Sequence, residues 1–169
     1  MTKDEGLKII QDKVNEFEFK KDVLTKKGAG ETNIRSGFID EFFRALGWQT
    51  TLVSEVVREY SQRDNSKTKR VDYAFKLKNK LKFFVEAKEA SVDLVNDKDA
   101  IYQAKRYAYS TNGTAPIVIL TDFEEFRVFN VLKAPIYENH NKELLKEFSM
   151  RYTDYVDKWD LLWSKFSRE

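Results

Sequence analysis

The chain has 169 residues, 41% of them hydrophobic and 34% charged, with a formal net charge of +2, which is length enough for one domain with its own core. With no cysteine and one histidine, His140, disulfides, zinc–thiolate sites and thiol nucleophiles are excluded, little room is left for a multi-histidine metal site or a Ser-His-Asp triad, and a reducing cytoplasm is the fitting compartment. No apolar h-region follows Met-Thr-Lys-Asp-Glu, and no run approaches the ~20 apolar residues of a membrane span, so neither a signal peptide nor a membrane partner is expected.

Leu7, Ile10, Val14, Phe17 and Leu24 recur at helical spacing, and residues 4–24 read as an amphipathic helix that "TKKGAG" (25–30) breaks. A second helix is predicted over 31–46, with Ile34, Phe38, Phe42 and Leu46 on its buried face and Gly47 as its stop. Residues 55–60 suit a short strand, followed by a polar loop, "SQRDNSKTK" (61–69), and by the hairpin "KRVDYAFKLKNKLKFFVEAKEA" (69–90). A helix fits 97–111, with Ile101, Ala104, Tyr107 and Ala108 inward, and "TNGTAP" (111–116) is a loop. "IVILTD" (117–122) has the continuous apolar character of a strand buried on both faces, and the alternating "EFRVFNVL" (125–132) should pair beside it. Helices return over about 141–149 and 153–166. No repeat, low-complexity tract or linker interrupts 1–169, and the order α-α-β-β-β-α-β-β-α-α predicts a single α/β domain: a central mixed sheet of about five strands with helices on both faces.

Charge is uneven along this order. Residues 58–88 hold ten Lys/Arg, Lys69 and Arg70 among them, and four acids, a net +6 against −4 for the rest. Such a local basic field attracts polyanions and makes Lys69 and Arg70 candidates for contacting DNA. A solvated hairpin with lysines guarding its edge explains it equally well.

The hairpin also carries charges that a sheet interior does not tolerate unless they are paired or bind something. By alternation, Val71, Tyr73, Phe75 and Leu77 share one face of the first strand and Asp72, Ala74 and Lys76 the other. In the second strand Leu81, Phe83, Val85 and Ala87 share a face, and Lys82, Phe84, Glu86 and Lys88 the opposite one. Whether Asp72 joins Glu86 and Lys88 depends on the turn. A two-residue loop at Asn79-Lys80 pairs Asp72 with Ala87 and separates the acids, whereas a three-residue loop of Lys78, Asn79 and Lys80, or a bulge, pairs Asp72 with Glu86. In the second register two carboxylates and an ammonium converge. Two carboxylates so close favour a cation between them, and oxygen ligands without His or Cys favour Mg²⁺ or Mn²⁺. The Ala87 carbonyl is a further candidate ligand, and Lys88 stands ready to orient a water or stabilise developing charge. Glu-x-Lys alone is unspecific, since Glu18-Phe19-Lys20 has the same form inside a predicted helix.

The segments "ETNIRSGFIDEFFRALGW", "RVDYAF", "FFVEAK", "QAKRYAY" and "IVILTDFEEFRVFNV", in this order over about 31–132, resemble the PD-(D/E)XK nuclease superfamily. They are most similar to the N-terminal nuclease domain of fused type IIG restriction–modification enzymes and of the type I restriction motor subunit. The resemblance implies a restriction-endonuclease-like three-layer α/β/α fold and Mg²⁺-dependent hydrolysis of double-stranded DNA to 5′-phosphate and 3′-hydroxyl ends. It implies Asp72 and Glu86 as metal-binding acids and Lys88 as the motif lysine. Glu31 falls on a further acid near the metal, and Gln103 and Tyr107 fall on a Gln-x-x-x-Tyr motif that supports the site or contacts DNA. For Glu31 a dipole-complementing acid at a helix start is the plainer reading, and for Gln103 and Tyr107 ordinary helix packing. The proline that names the superfamily is Val71 here. Methyltransferase and specificity domains or subunits are the implied partners, a prokaryotic cytoplasm the implied location, and dimerisation one route to cutting both strands. In such fused enzymes a segment similar to "YVDKWDLLWSKFSRE" (155–169) leads into a helical connector; the alternative is a helix that closes the core. A repair or recombination nuclease of the same superfamily, or a catalytically silent module that binds nucleic acid or a partner, are the competing functions.

Overall fold

Thr2 opens the first helix, α1 (Lys3–Leu24), with a capping box: its hydroxyl accepts the Glu5 N–H and the Glu5 carboxylate accepts the Thr2 N–H. The computed structural model in which this is seen describes residues 1–64, 67–110 and 115–169, and only the backbone of those of 61–69 that it includes. Thr111 to Thr114 of the expected loop, and the Lys69 side chain, therefore lie outside the described residues.

The second helical stretch covers the predicted 31–46 but is not uniform. It runs as α2 (Glu31–Ile34), a π turn over Arg35–Ile39 and α3 (Asp40–Ala45). The wider turn admits one extra residue, and Phe38 with Ile39, then Phe42 with Phe43, are all buried. Gly47, at φ 88°, ends it: the Gly47 N–H reaches the Arg44 carbonyl and the Trp48 N–H reaches that of Phe43. At the other end of this packing a Cβ on Gly6 of α1 would stand 2.2 Å from the Ala45 carbonyl oxygen, so only glycine lets the two helices approach this closely.

Six strands form one mixed sheet in sequence order: β1 (Val56–Asp64), β2 (Lys67–Leu77), β3 (Lys80–Ala87), β4 (Ile117–Thr121), β5 (Glu125–Asn130) and β6 (Met150–Arg151). All neighbours are antiparallel except β3 and β4. A parallel pair needs a crossover, and α4 (Lys98–Tyr109), capped by Asp97 on the Ala100 N–H, lies within it. One buried cluster joins α1, α3 and the C-terminal α5 (Trp159–Phe166) to one sheet face through Phe17, Phe42, Phe75, Phe83, Phe126 and Phe166. The other joins α4 to the opposite face through Ala74, Phe84, Ile101, Ala104, Val118 and Leu120. This is the restriction-endonuclease-like α/β arrangement, helices outside and sheet between.

Three expectations are corrected. In place of the polar loop expected over 61–69, β1 runs on to Asp64 and β2 begins at Lys67, the two paired; backbone pairing outweighs polar composition here. The helix expected over 141–149 does not form. Leu145 N–H instead reaches the Val128 carbonyl, Val128 N–H reaches the Ser149 hydroxyl, and Leu144 bridges Phe129. The open side of β5 draws this segment into pairing that a helix would forgo, and β6 follows as a sixth strand. Of the helix expected over 153–166, only α5 is α-helical, preceded by a 3₁₀ turn at Tyr152–Asp154. Trp159, Leu162 and Phe166 lie in the main cluster, so this helix closes the core.

Candidate active site in the fork between two strands

The hairpin turn is Lys78-Asn79, both at positive φ (51° and 63°), between paired Leu77 and Lys80. This is the left-handed conformation a two-residue turn requires. Continued unbroken, that register would oppose Asp72 to Val85. It does not continue: Lys76 pairs with Leu81 but Phe75 pairs with Phe83, leaving Lys82 as an extra residue. The bulge moves the register by one, Tyr73 meets Val85, and the next step brings Asp72 opposite Glu86. Leu81 therefore faces the α4 cluster while Phe83 faces the other, not the shared face that strict alternation predicts.

A second irregularity lies at Asp72. Val71 packs with Ala74 under α4, while Tyr73 and Phe75 point the other way. In β1, Arg58 pairs with Tyr73 and Tyr60 with Val71, and Glu59 between them has φ 49°. Val71 thus leaves the face expected for it, at the step where Glu59 of the paired strand takes a positive φ.

The β2–β3 ladder ends at Tyr73 and Val85. Beyond it the strands part, and the carboxylates take over the backbone's partners. Asp72 Oδ2 accepts the Ala87 N–H at 2.7 Å, and Glu86 Oε2 faces the Asp72 N–H at 3.4 Å. β3 continues instead along β4, with Glu86 beside Leu120, Ala87 beside Thr121, and the Lys88 N–H on the Thr121 carbonyl. The Lys88 ammonium stands 3.6 Å from Glu86 Oε1. Asp72, Glu86 and Lys88 therefore meet at the mouth of a fork.

Glu86 is 6% exposed. Burial, and then the charge of Asp72, push its carboxyl up to about 7, with Lys88 opposing. Glu31, at the start of α2, is also raised by burial and next by Asp72, so the structure brings it within electrostatic reach of the fork. Its link to Asp72 runs through Arg35, whose Nη1 stands 3.6 Å from Glu31 Oε1 and 3.6 Å from Asp72 Oδ1. Among the described residues no three His, Cys, Asp or Glu side chains stand close enough to share one ion. The donor set is hence two carboxylates, with the Ala87 carbonyl next to Glu86 in sequence. This all-oxygen set, partly buried and rich in negative charge, fits Mg²⁺ or Mn²⁺.

Gln103 and Tyr107 share one side of α4, where the Gln103 amide donates to the Tyr107 hydroxyl at 2.8 Å. Gln103 is exposed and the Tyr107 side chain packs partly on the α4 cluster. Arg70 is exposed and 3.7 Å from Glu59. Glu18, of the second Glu-x-Lys, lies on α1 and accepts from the Tyr152 hydroxyl. Arg35 escaped the sequence reading. Its signal was the four-residue spacing from Glu31, which is too common in a chain this charged to single it out.

Fold and fork together define a nuclease-like α/β domain of the restriction-endonuclease architecture. Residues 53–135 match the family described as type I restriction enzyme R protein N terminus. The whole chain aligns at 30% identity, over 185 positions, with the type II restriction enzyme and methyltransferase RM.Eco57I of Escherichia coli, and spans 17% of that enzyme's length. No solved structure matches. These two sequence matches support a restriction-enzyme N-terminal nuclease-like domain. No helix among the described residues is long and apolar enough to cross a membrane.

Proposed function

We propose that this chain is the cleavage domain of a restriction–modification enzyme, hydrolysing phosphodiester bonds of double-stranded DNA with Mg²⁺, or Mn²⁺ in its place, to 5′-phosphate and 3′-hydroxyl ends. The supporting observation is the fork: a bulge at Lys82 turns Asp72 toward Glu86, and each carboxylate reaches the other strand's backbone N–H. Asp72, Glu86 and the Ala87 carbonyl would hold the ion, with Glu31 as a further acid at the rim. A bound divalent ion supplies Lewis-acid charge to a phosphoryl oxygen and makes a water more nucleophilic near neutral pH. Lys88 holds a cation beside Glu86, where it neutralises a phosphate oxygen or orients the attacking water. Gln103 and Tyr107 on α4, and the exposed Arg70 beside β2's Val71, are the residues proposed to contact DNA. Methyltransferase and specificity domains are its natural partners, since the aligned Escherichia coli protein is by name both restriction enzyme and methyltransferase.

Plasmid nicking tests this. Wild type is expected to nick supercoiled DNA only with Mg²⁺ or Mn²⁺, and Asp72→Asn and Lys88→Ala to lose activity by a factor of about 100 or more while staying folded. Cleavage that persists in both variants, or metal-supplied wild type that binds DNA without cutting it, would overturn the proposal. The second result would favour a silent binding module.

A further inference from the structure

Arg35 is held more firmly than a surface helix arginine needs to be. The π turn begins at it, and π turns of this kind gather at functional sites. Its guanidinium lies 5.1 Å from the centroid of the Tyr73 ring, which Arg58 also approaches at 5.2 Å. The ring is pinned in turn, because the Tyr73 hydroxyl donates to Asp40 at 2.9 Å and Arg58 donates to the same carboxylate at 2.7 Å. From this platform Arg35 reaches Glu31 and Asp72 together, with its own side chain only 19% exposed. Asp72 Oδ2 already accepts the Ala87 N–H, so Oδ1, the atom beside Arg35, is the less engaged oxygen for a metal.

We propose that Arg35 is a positioning residue: a built-in counter-ion that holds Glu31 and Asp72 in place before a divalent ion arrives and sets how tightly that ion binds. The inference rests on the metal-dependent reading of the fork. A guanidinium fixed next to a ligand oxygen repels an incoming dication. It also cannot deprotonate to relieve the repulsion. Arg35 therefore keeps the empty carboxylates ordered at the expense of metal affinity.

The test is Mn²⁺ binding to the full chain without DNA, read from the electron-paramagnetic signal of free Mn²⁺, with circular dichroism to confirm folding. Arg35→Gln is expected to bind Mn²⁺ roughly tenfold more tightly than wild type, by the same factor at pH 7 and pH 8.5. Arg44→Gln, which removes an exposed guanidinium paired with Glu41, is expected to bind like wild type. Equal or weaker binding by Arg35→Gln overturns the inference, as does equal tightening by Arg44→Gln. Should Arg35→Gln not fold, Arg35→Lys carries the test: its shorter, non-stacking side chain draws the charge back from Asp72, so it must bind more tightly than wild type. If wild type binds no Mn²⁺, or Asp72→Asn binds it unchanged, the metal site itself is refuted and the role of Arg35 with it. If those controls hold and only the Arg35 variants fail, the metal site stands and the counter-ion role falls.

Discussion

Asp72 and Glu86 are polar residues at the edge of a core, and each meets a backbone N–H across the fork. That exchange explains how two acids persist at a sheet's interior end without unfolding it. Asp122 is a different case. It is 1% exposed, its Oδ1 accepts the Glu125 N–H at 2.7 Å, and burial raises its carboxyl to about 8 from an ordinary 3.8. An acid whose folded value is raised favours the folded state fully only below its unfolded value. Stability is then lost as pH climbs from about 4 toward 8. Asp122→Asn, which imitates the protonated form, is expected to match wild type near pH 4 and exceed it at pH 8. Urea unfolding at the two pH values checks this, and a gap that does not widen with pH would remove the carboxyl as its source.

At the scale of elements, the decisive device is the hairpin's combination of a two-residue turn with one bulged residue. The turn alone sets a register that opposes Asp72 to Val85, and Lys82 supplies the single step that corrects it. Deleting Lys82 removes the bulge while leaving every observed pair, Lys76 with Leu81 and Phe75 with Phe83, in sequence. Such a deletion is expected to retain Mn²⁺ binding. Inserting one alanine between Val85 and Glu86 turns Glu86 to the opposite face and is expected to abolish binding in a folded protein. Titration of Mn²⁺ into both variants decides the point; loss in the deletion would mean that the bulge itself, not the register it sets, builds the site.

Across the whole molecule, Phe17 of α1 touches Phe38, Phe123 and Tyr152, tying together the first helix, the π turn, the β4–β5 turn and the C-terminal region. Phe123 sits at φ 72°, and its carbonyl accepts the buried Tyr155 hydroxyl at 2.6 Å. Phe17→Ala is expected to cost about 3–5 kcal/mol in chemical denaturation. A loss under about 1 kcal/mol would show that the cavity collapses or that α1 is peripheral to the core.

Local chemistry wrote much of this protein legibly. The periodicity of Leu7 to Leu24, the apolar run at Ile117–Thr121, the Gly47 stop and the pairing of acids with Lys88 are all short-range features, set by propensity and side-chain spacing. The alternation rule could say that Asp72 and Glu86 meet only if the register shifts, but it could not choose. That choice belongs to the packing of Phe75 on Phe83 and Ala74 beside Phe84, contacts that exist only once the sheet is sandwiched between its helices. The same holds for residues 141–149, whose helical pattern yields to the unpaired side of β5, and for Arg35, which acquires meaning from Tyr73 and Asp72, partners far along the chain. Sequence settled which segments are apolar and which groups carry charge; tertiary structure settled which of those groups face each other, because register and edge pairing are non-local energies.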